Sequence, residues 1–129
     1  MESPFNLISS LYSKYQTHLL QKEYQLKKNI KFDLTLRHRT ECFFQNPINS
    51  NILDNAKNHI VLPQWKLNLT PDFTLIGNYY NVKTINKAFI NLSNLINNPS
   101  YFNPHSLIDR IFDFHEISHK TLNDFKIDI

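Results

Sequence analysis

Glycine is nearly absent from this chain: one residue, Gly77, in 129. Phosphate-cradling loops need several glycines to bring backbone N–H groups against a nucleotide, so Rossmann and P-loop chemistry is excluded. A nucleophilic serine on a G-x-S-x-G elbow is excluded for the same reason. Cysteine is equally scarce. Cys42 stands alone, so no internal disulfide forms, and with no reactive signature around it a buried, inert thiol is expected. No apolar run approaches about 20 residues, so no membrane span is expected. No N-terminal stretch combines a charged start, an apolar run and a small-residue cleavage site, and none is an Arg-rich, acid-poor transit peptide. A reducing compartment is therefore expected, and a chain working inside an organelle is expected to be encoded there.

The residues that are abundant tell of coding as much as chemistry. Asn, Ile, Lys, Phe, Tyr and Met supply 59 of the 129 residues, and Gly, Ala, Arg and Pro only 12. This is the signature of an AT-rich genome, as in organelles, reduced endosymbionts, viruses and low-GC microbes. The 17 Asn are scattered among periodic apolar positions, so codon bias explains them better than a prion-like tract. Asn68-Leu69-Thr70 and Asn91-Leu92-Ser93 match the glycosylation pattern, but without a secretion signal they read as coincidence.

Net charge is +3, unevenly spread. Residues 1–39 carry seven Lys or Arg against Glu2, Glu23 and Asp33, hence +4, and the rest carry seven against eight, hence −1. The cations bunch at Lys22, Lys27, Lys28, Lys31, Arg37 and Arg39, a candidate RNA contact in which cations meet phosphates and nearby aromatics stack on unpaired bases. An ordinary solvated face is the plain alternative. The 17 Phe, Tyr and Trp belong first to the core and second to protein interfaces.

Periodicity places the chain in the α+β class as a single domain, residues 1–129. Ser3-Pro4 starts a helix whose apolar positions recur at helical spacing to about Lys28. Ile30, Phe32, Leu34 and Leu36 then alternate with polar residues, which predicts a strand. Gln45 to Asn58 reads as a loop with a helical turn near Ile52–Ala56. Short apolar runs follow at His59–Leu62, Trp65–Leu69 and Phe73–Ile76, and Gly77-Asn78 predicts a tight hairpin into a strand at Tyr79–Val82. Val82, Ile85, Phe89, Leu92 and Ile96 predict a second helix ending before Pro99. Leu107, Ile111, Phe114, Leu122 and Phe125 predict a third, starting near Pro104 or Ser106. The expected architecture is an N-terminal helix, a small, mainly antiparallel sheet and two C-terminal helices.

His115-Glu116-Ile117-Ser118-His119 spells H-E-x-x-H, and these five residues resemble the zincin motif. On a helix, His115 and His119 would share a face and hold one zinc, with Glu116 as general base. The family's usual continuation is replaced: Leu122 and Phe125 stand where a Gly and a third His would follow, and Lys120 where an uncharged residue is favoured. Other third ligands are Asp124, Asp128, His105, Glu41 or His59. The competing reading is packing, because the two histidines align with Ile108, Phe112 and Leu122 at the edge of the apolar stripe.

The leading expectation is a non-catalytic subunit of a larger assembly without cofactor, partnered by other proteins and touching RNA. Its concrete form is an organelle-encoded ribosomal protein, in the mitochondrial matrix if so encoded and cytoplasmic otherwise. The alternatives are a minimal zinc hydrolase and a viral or microbial protein-interaction module.

Overall fold

The computed structural model describes residues 4–65, 70–95 and 104–128, and its α+β class agrees with the sequence. Helix α1 spans Pro4–Lys28. Its stop is a Schellman motif: Asn29 takes φ 52°, the Ile30 N–H donates to Gln25 O, and the Asn29 N–H to Leu26 O. Asn tolerates this left-handed angle better than most residues, which is why the helix ends there.

Strands β1 (Leu34–His38), β2 (Phe43–Phe44), β3 (Ile60–Gln64), β4 (Thr74–Asn78) and β5 (His119–Asp128) form one sheet in the order β1-β4-β3-β5-β2. All neighbours are antiparallel except β3 and β5, which run parallel. The expectation of a mainly antiparallel sheet therefore holds. β3 lies at the centre and is apolar on both faces: Ile60 and Leu62 enter one core, Val61 the other.

The first core lies under α1, α3 (Tyr79–Asn86), the 3-10 turn Lys87–Asn91, α4 (Leu92–Leu95) and α5 (Pro104–Phe114). The second is smaller. Helix α2 (Ser50–Ala56) covers it with Ile52 and Ala56, and Cys42, Phe73, Ile76, Phe125 and Ile127 complete it. Asn49 starts α2 by accepting the Ile52 N–H on its side-chain oxygen at 2.9 Å. Cys42 is buried as expected, and burial pushes its thiol pKa up.

Three sequence expectations are corrected. Gly77-Asn78 is no hairpin. Asn78 caps α3 instead, its side chain accepting the Asn81 N–H at 2.8 Å, so residues 79–82 are helical. Asn favours both tight turns and N-caps for the same reason, a short side chain that bonds nearby backbone, and the sequence pattern alone does not separate them. Gly77 gives room for a close approach: a Cβ there would lie 2.5 Å from Ile60 Cδ1 and would force that side chain to shift. The predicted strand at 30–36 starts later, at Leu34, and leaves Ile30 exposed.

The largest correction is at the C-terminal end, where the predicted third helix stops at Phe114 and residues 119–128 form a strand. Expected elements at residues 66–69 and 96–103, and the Ser3 cap, lie outside the described residues.

Candidate functional site

The zincin-like pentad is built as a helix stop. Glu116 takes φ 53°, the Ile117 N–H donates to Phe112 O at 2.9 Å, and the Glu116 N–H to Asp113 O at 3.3 Å. These are the two bonds of a Schellman motif with Glu116 in the left-handed position, and buried Ile117 and Phe112 supply its apolar contact. His115 lies in the turn just after α5 and His119 begins β5, so the four-residue spacing that would align two ligands on a helix face is lost. His119 stacks on Phe112 with ring centroids 4.5 Å apart, and His115 lies edge-on to Phe114. Burial lowers the His115 pKa, which favours its neutral ring.

The other ligand candidates are engaged elsewhere. Asp124 accepts from Asn49 and Asn51, Asp128 from Gln45, and Glu41 pairs with Arg39. His105 bonds Thr70 O, and His59 meets the Ser118 hydroxyl. Among the described residues no three His, Cys, Asp or Glu side chains gather around a common point. The motif's residues thus do not fit the ligand set that their spacing suggests.

The six candidate RNA-contact residues divide into two groups. Lys22, Lys27, Lys28 and Lys31 are exposed around the C-terminal end of α1, and none forms an ion pair with a described residue. Half-exposed Tyr24 lies between them, stacked on Phe32 with centroids 6.1 Å apart and planes 9° from parallel. Lys22, Lys31 and Phe32 also line a hollow of about 650 Å³ whose far wall is Tyr79. The Phe32 N–H donates to Gln25 Oε1 at 2.8 Å, which holds the segment between α1 and β1 against the helix.

Arg37 and Arg39 belong to a different place, a cleft of about 700 Å³ between α1 and β1. Arg37 is withdrawn from the surface, its side chain only 15% exposed. It donates to Asn86 Oδ1 and to Asp72 O, both at 2.9 Å, and lies 3.4 Å from Asp72 Oδ1. Lys14 reaches the same carboxylate at 3.1 Å. Burial alone would raise the Asp72 pKa, but the Lys14 and Arg37 charges outweigh it and hold the carboxyl below its ordinary value. Lys14 is lowered to about 8, by burial first and Arg37 second, against the pull of Asp72. Arg39 is exposed and pairs with Glu41 at 3.2 Å.

No described helix is long and apolar enough to cross a membrane. No protein-family model matches the chain, and no curated protein or solved structure is significantly similar to it.

The buried Lys14–Arg37–Asp72 cluster escaped the sequence reading because its members are up to 58 residues apart. Thr70-Pro71-Asp72 carries the local signature of a turn, and nothing in it points to Arg37.

Proposed function

We propose that this chain is a non-catalytic subunit of a larger assembly that contacts RNA through the C-terminal end of α1. One observation carries the reading: four exposed lysines surround a half-exposed tyrosine at one end of the molecule. Ammonium groups meet phosphates without regard to sequence, while a tyrosine face stacks on any unpaired base. Lys27 and Lys28 also complement the negative end of the helix dipole, but Lys31 lies beyond the helix, so the dipole does not account for the whole group.

The AT-rich composition supports an organelle-encoded ribosomal protein, at work in the mitochondrial matrix, as the concrete form. A protein-interaction module of viral or microbial origin is the second reading, favoured by the exposed apolar side chains Leu20 and Leu26 on α1. The zinc-hydrolase alternative draws no support from two histidines of which one lies in the turn after α5 and the other on β5.

Fluorescence anisotropy with a single-stranded RNA probe tests the reading. Four phosphate contacts predict a slope of log affinity on log salt of about −3. Replacing Lys22, Lys27, Lys28 and Lys31 by Glu should abolish binding while the circular-dichroism spectrum stays native, and reversing the two charges of the last turn should lower the thermal midpoint by about 3–6 °C. Equal RNA affinity in the variant would overturn the assignment.

A further inference from the structure

β1 ends the sheet, so among the described residues one of its edges has no strand partner. Its register identifies which backbone groups face that edge. The Tyr79 N–H donates to Asp33 O and the Arg39 N–H to Phe73 O, so Asp33 and Arg39 bond toward β4. An antiparallel ladder alternates, so Thr35 and Arg37 also bond toward β4, while the N–H and C=O groups of Leu34, Leu36 and His38 point away from it.

The α1–β1 cleft lies along that edge. All five residues from Thr35 to Arg39 line it, although neighbours in a strand project to opposite faces. Only a hollow running beside the backbone touches both sets. The opposite wall is one face of α1, with Ser10, Lys14, Thr17 and Gln21 at helical spacing. Leu20 on this wall is 66% exposed and Leu36 across from it 41%, an apolar seat at one end. Lys14, Arg37 and Arg39 stand toward the other end, with Asp72 as the sole acid among the lining residues.

We propose that this cleft binds an extended acidic segment of a partner protein by strand addition to β1. The backbone of Leu36 and His38 would supply the main-chain bonds, the Leu20–Leu36 seat would take an apolar side chain, and exposed Arg39, backed by the field of Lys14 and Arg37, would meet a carboxylate farther along. Two considerations select this occupant. A strand edge offers bonds that only another extended backbone completes. The charge beside it, three cations against Asp72 and the Glu41 that pairs with Arg39, stays net positive and so suits an acid over a basic segment. The site is separate from the lysines at the end of α1, so either assignment can fail without the other.

The test uses the full chain, amide hydrogen exchange read by NMR, and short labelled peptides alternating Val with Glu or Val with Lys. The Val/Glu peptide should bind and slow exchange at Leu36 and His38, leaving Thr35 and Arg37, already bonded to β4, unchanged. Leu36→Pro removes the outward N–H without breaking a bond to β4 and should abolish binding. Leu20→Glu, at an exposed helix position that leaves the fold intact, should weaken the Val/Glu peptide about tenfold, while Leu20→Lys should not weaken it. Any one of four results overturns the proposal: no binding of the Val/Glu peptide; equal binding of the Val/Lys peptide; protection of the same amides by single-stranded RNA; or their protection before any peptide is added, in a dimer whose β1 edges pair.

Discussion

Replacing Glu116 with glycine should stabilise the protein, although it removes the residue that a zinc-hydrolase reading would make the general base. Glu116 sits at φ 53°, where an L side chain crowds its own backbone at a cost of roughly 1–2 kcal/mol. Glycine has no Cβ and escapes that cost, but it loses more chain entropy on folding, which returns up to about 1 kcal/mol. The two Schellman bonds, from Ile117 to Phe112 and from Glu116 to Asp113, use backbone atoms and survive the change. The exposed carboxylate of Glu116 has no hydrogen bond or ion pair with a described residue to lose. The net expectation is a gain of about 1 kcal/mol, or roughly 3–5 °C in thermal midpoint for a chain of this length. Circular dichroism melts of wild type, Glu116→Gly and Glu116→Ala would measure it, with alanine near wild type because it keeps the Cβ. A continuous helix through residue 116 predicts the opposite sign, since glycine inside a helix costs about 1 kcal/mol relative to alanine. A lower midpoint for the glycine variant would therefore refute the helix stop.

The buried charge cluster gives two further predictions. Asp72→Asn leaves half-buried Lys14 and Arg37 without their counter-charge and should destabilise by about 2–3 kcal/mol in urea unfolding. Lys14 has a folded pKa of about 8 against an ordinary value of 10.5, so above pH 8 the unfolded chain binds the extra proton. Stability should then rise with pH between those two values, by up to about 3 kcal/mol, and Lys14→Met should remove that component; a flat profile in the wild type would contradict the assigned burial. Gly77→Ala places a methyl against Ile60, which is fully buried, and should cost about 1–3 kcal/mol in the same assay. An unchanged midpoint would mean that the β3–β4 contact yields more easily than its 2.5 Å approach implies.

Local signals served well where one element obeyed one rule. Helical spacing from Ile8 to Leu26 marked the extent of α1 although its core side is Leu7 and Leu11, with Ile8, Tyr12, Leu19 and Leu26 exposed, and the short apolar run at His59–Leu62 marked β3. The sequence failed where two rules overlap. Leu122 and Phe125 are three apart, which continues the helical phase of Leu107 and Ile111, and so a strand read as a helix. The cause is an irregularity in the β3–β5 pairing: Pro63 meets Leu122, but its neighbour Gln64 meets Lys126. The extra residues on β5 break the two-residue alternation that Phe125 and Ile127 otherwise show. The left-handed angle at Glu116 carried no warning, because glycine or asparagine is the usual sign of such a stop and this position has neither. At the candidate site, the exposed lysines were legible from charge alone. The withdrawal of Arg37 was not, since it depends on Asp72 and Asn86, distant in sequence and joined only by the fold.

Ultraviolet cross-linking of the native assembly, followed by mass spectrometry of this chain's peptides, tests the RNA contact most directly. Nucleotide adducts are expected between Lys22 and Phe32, with Tyr24 the foremost site because its half-exposed ring is free to stack on a base. An assembly that contains RNA but yields no adduct in that segment, or yields adducts only around His115–His119, would contradict it.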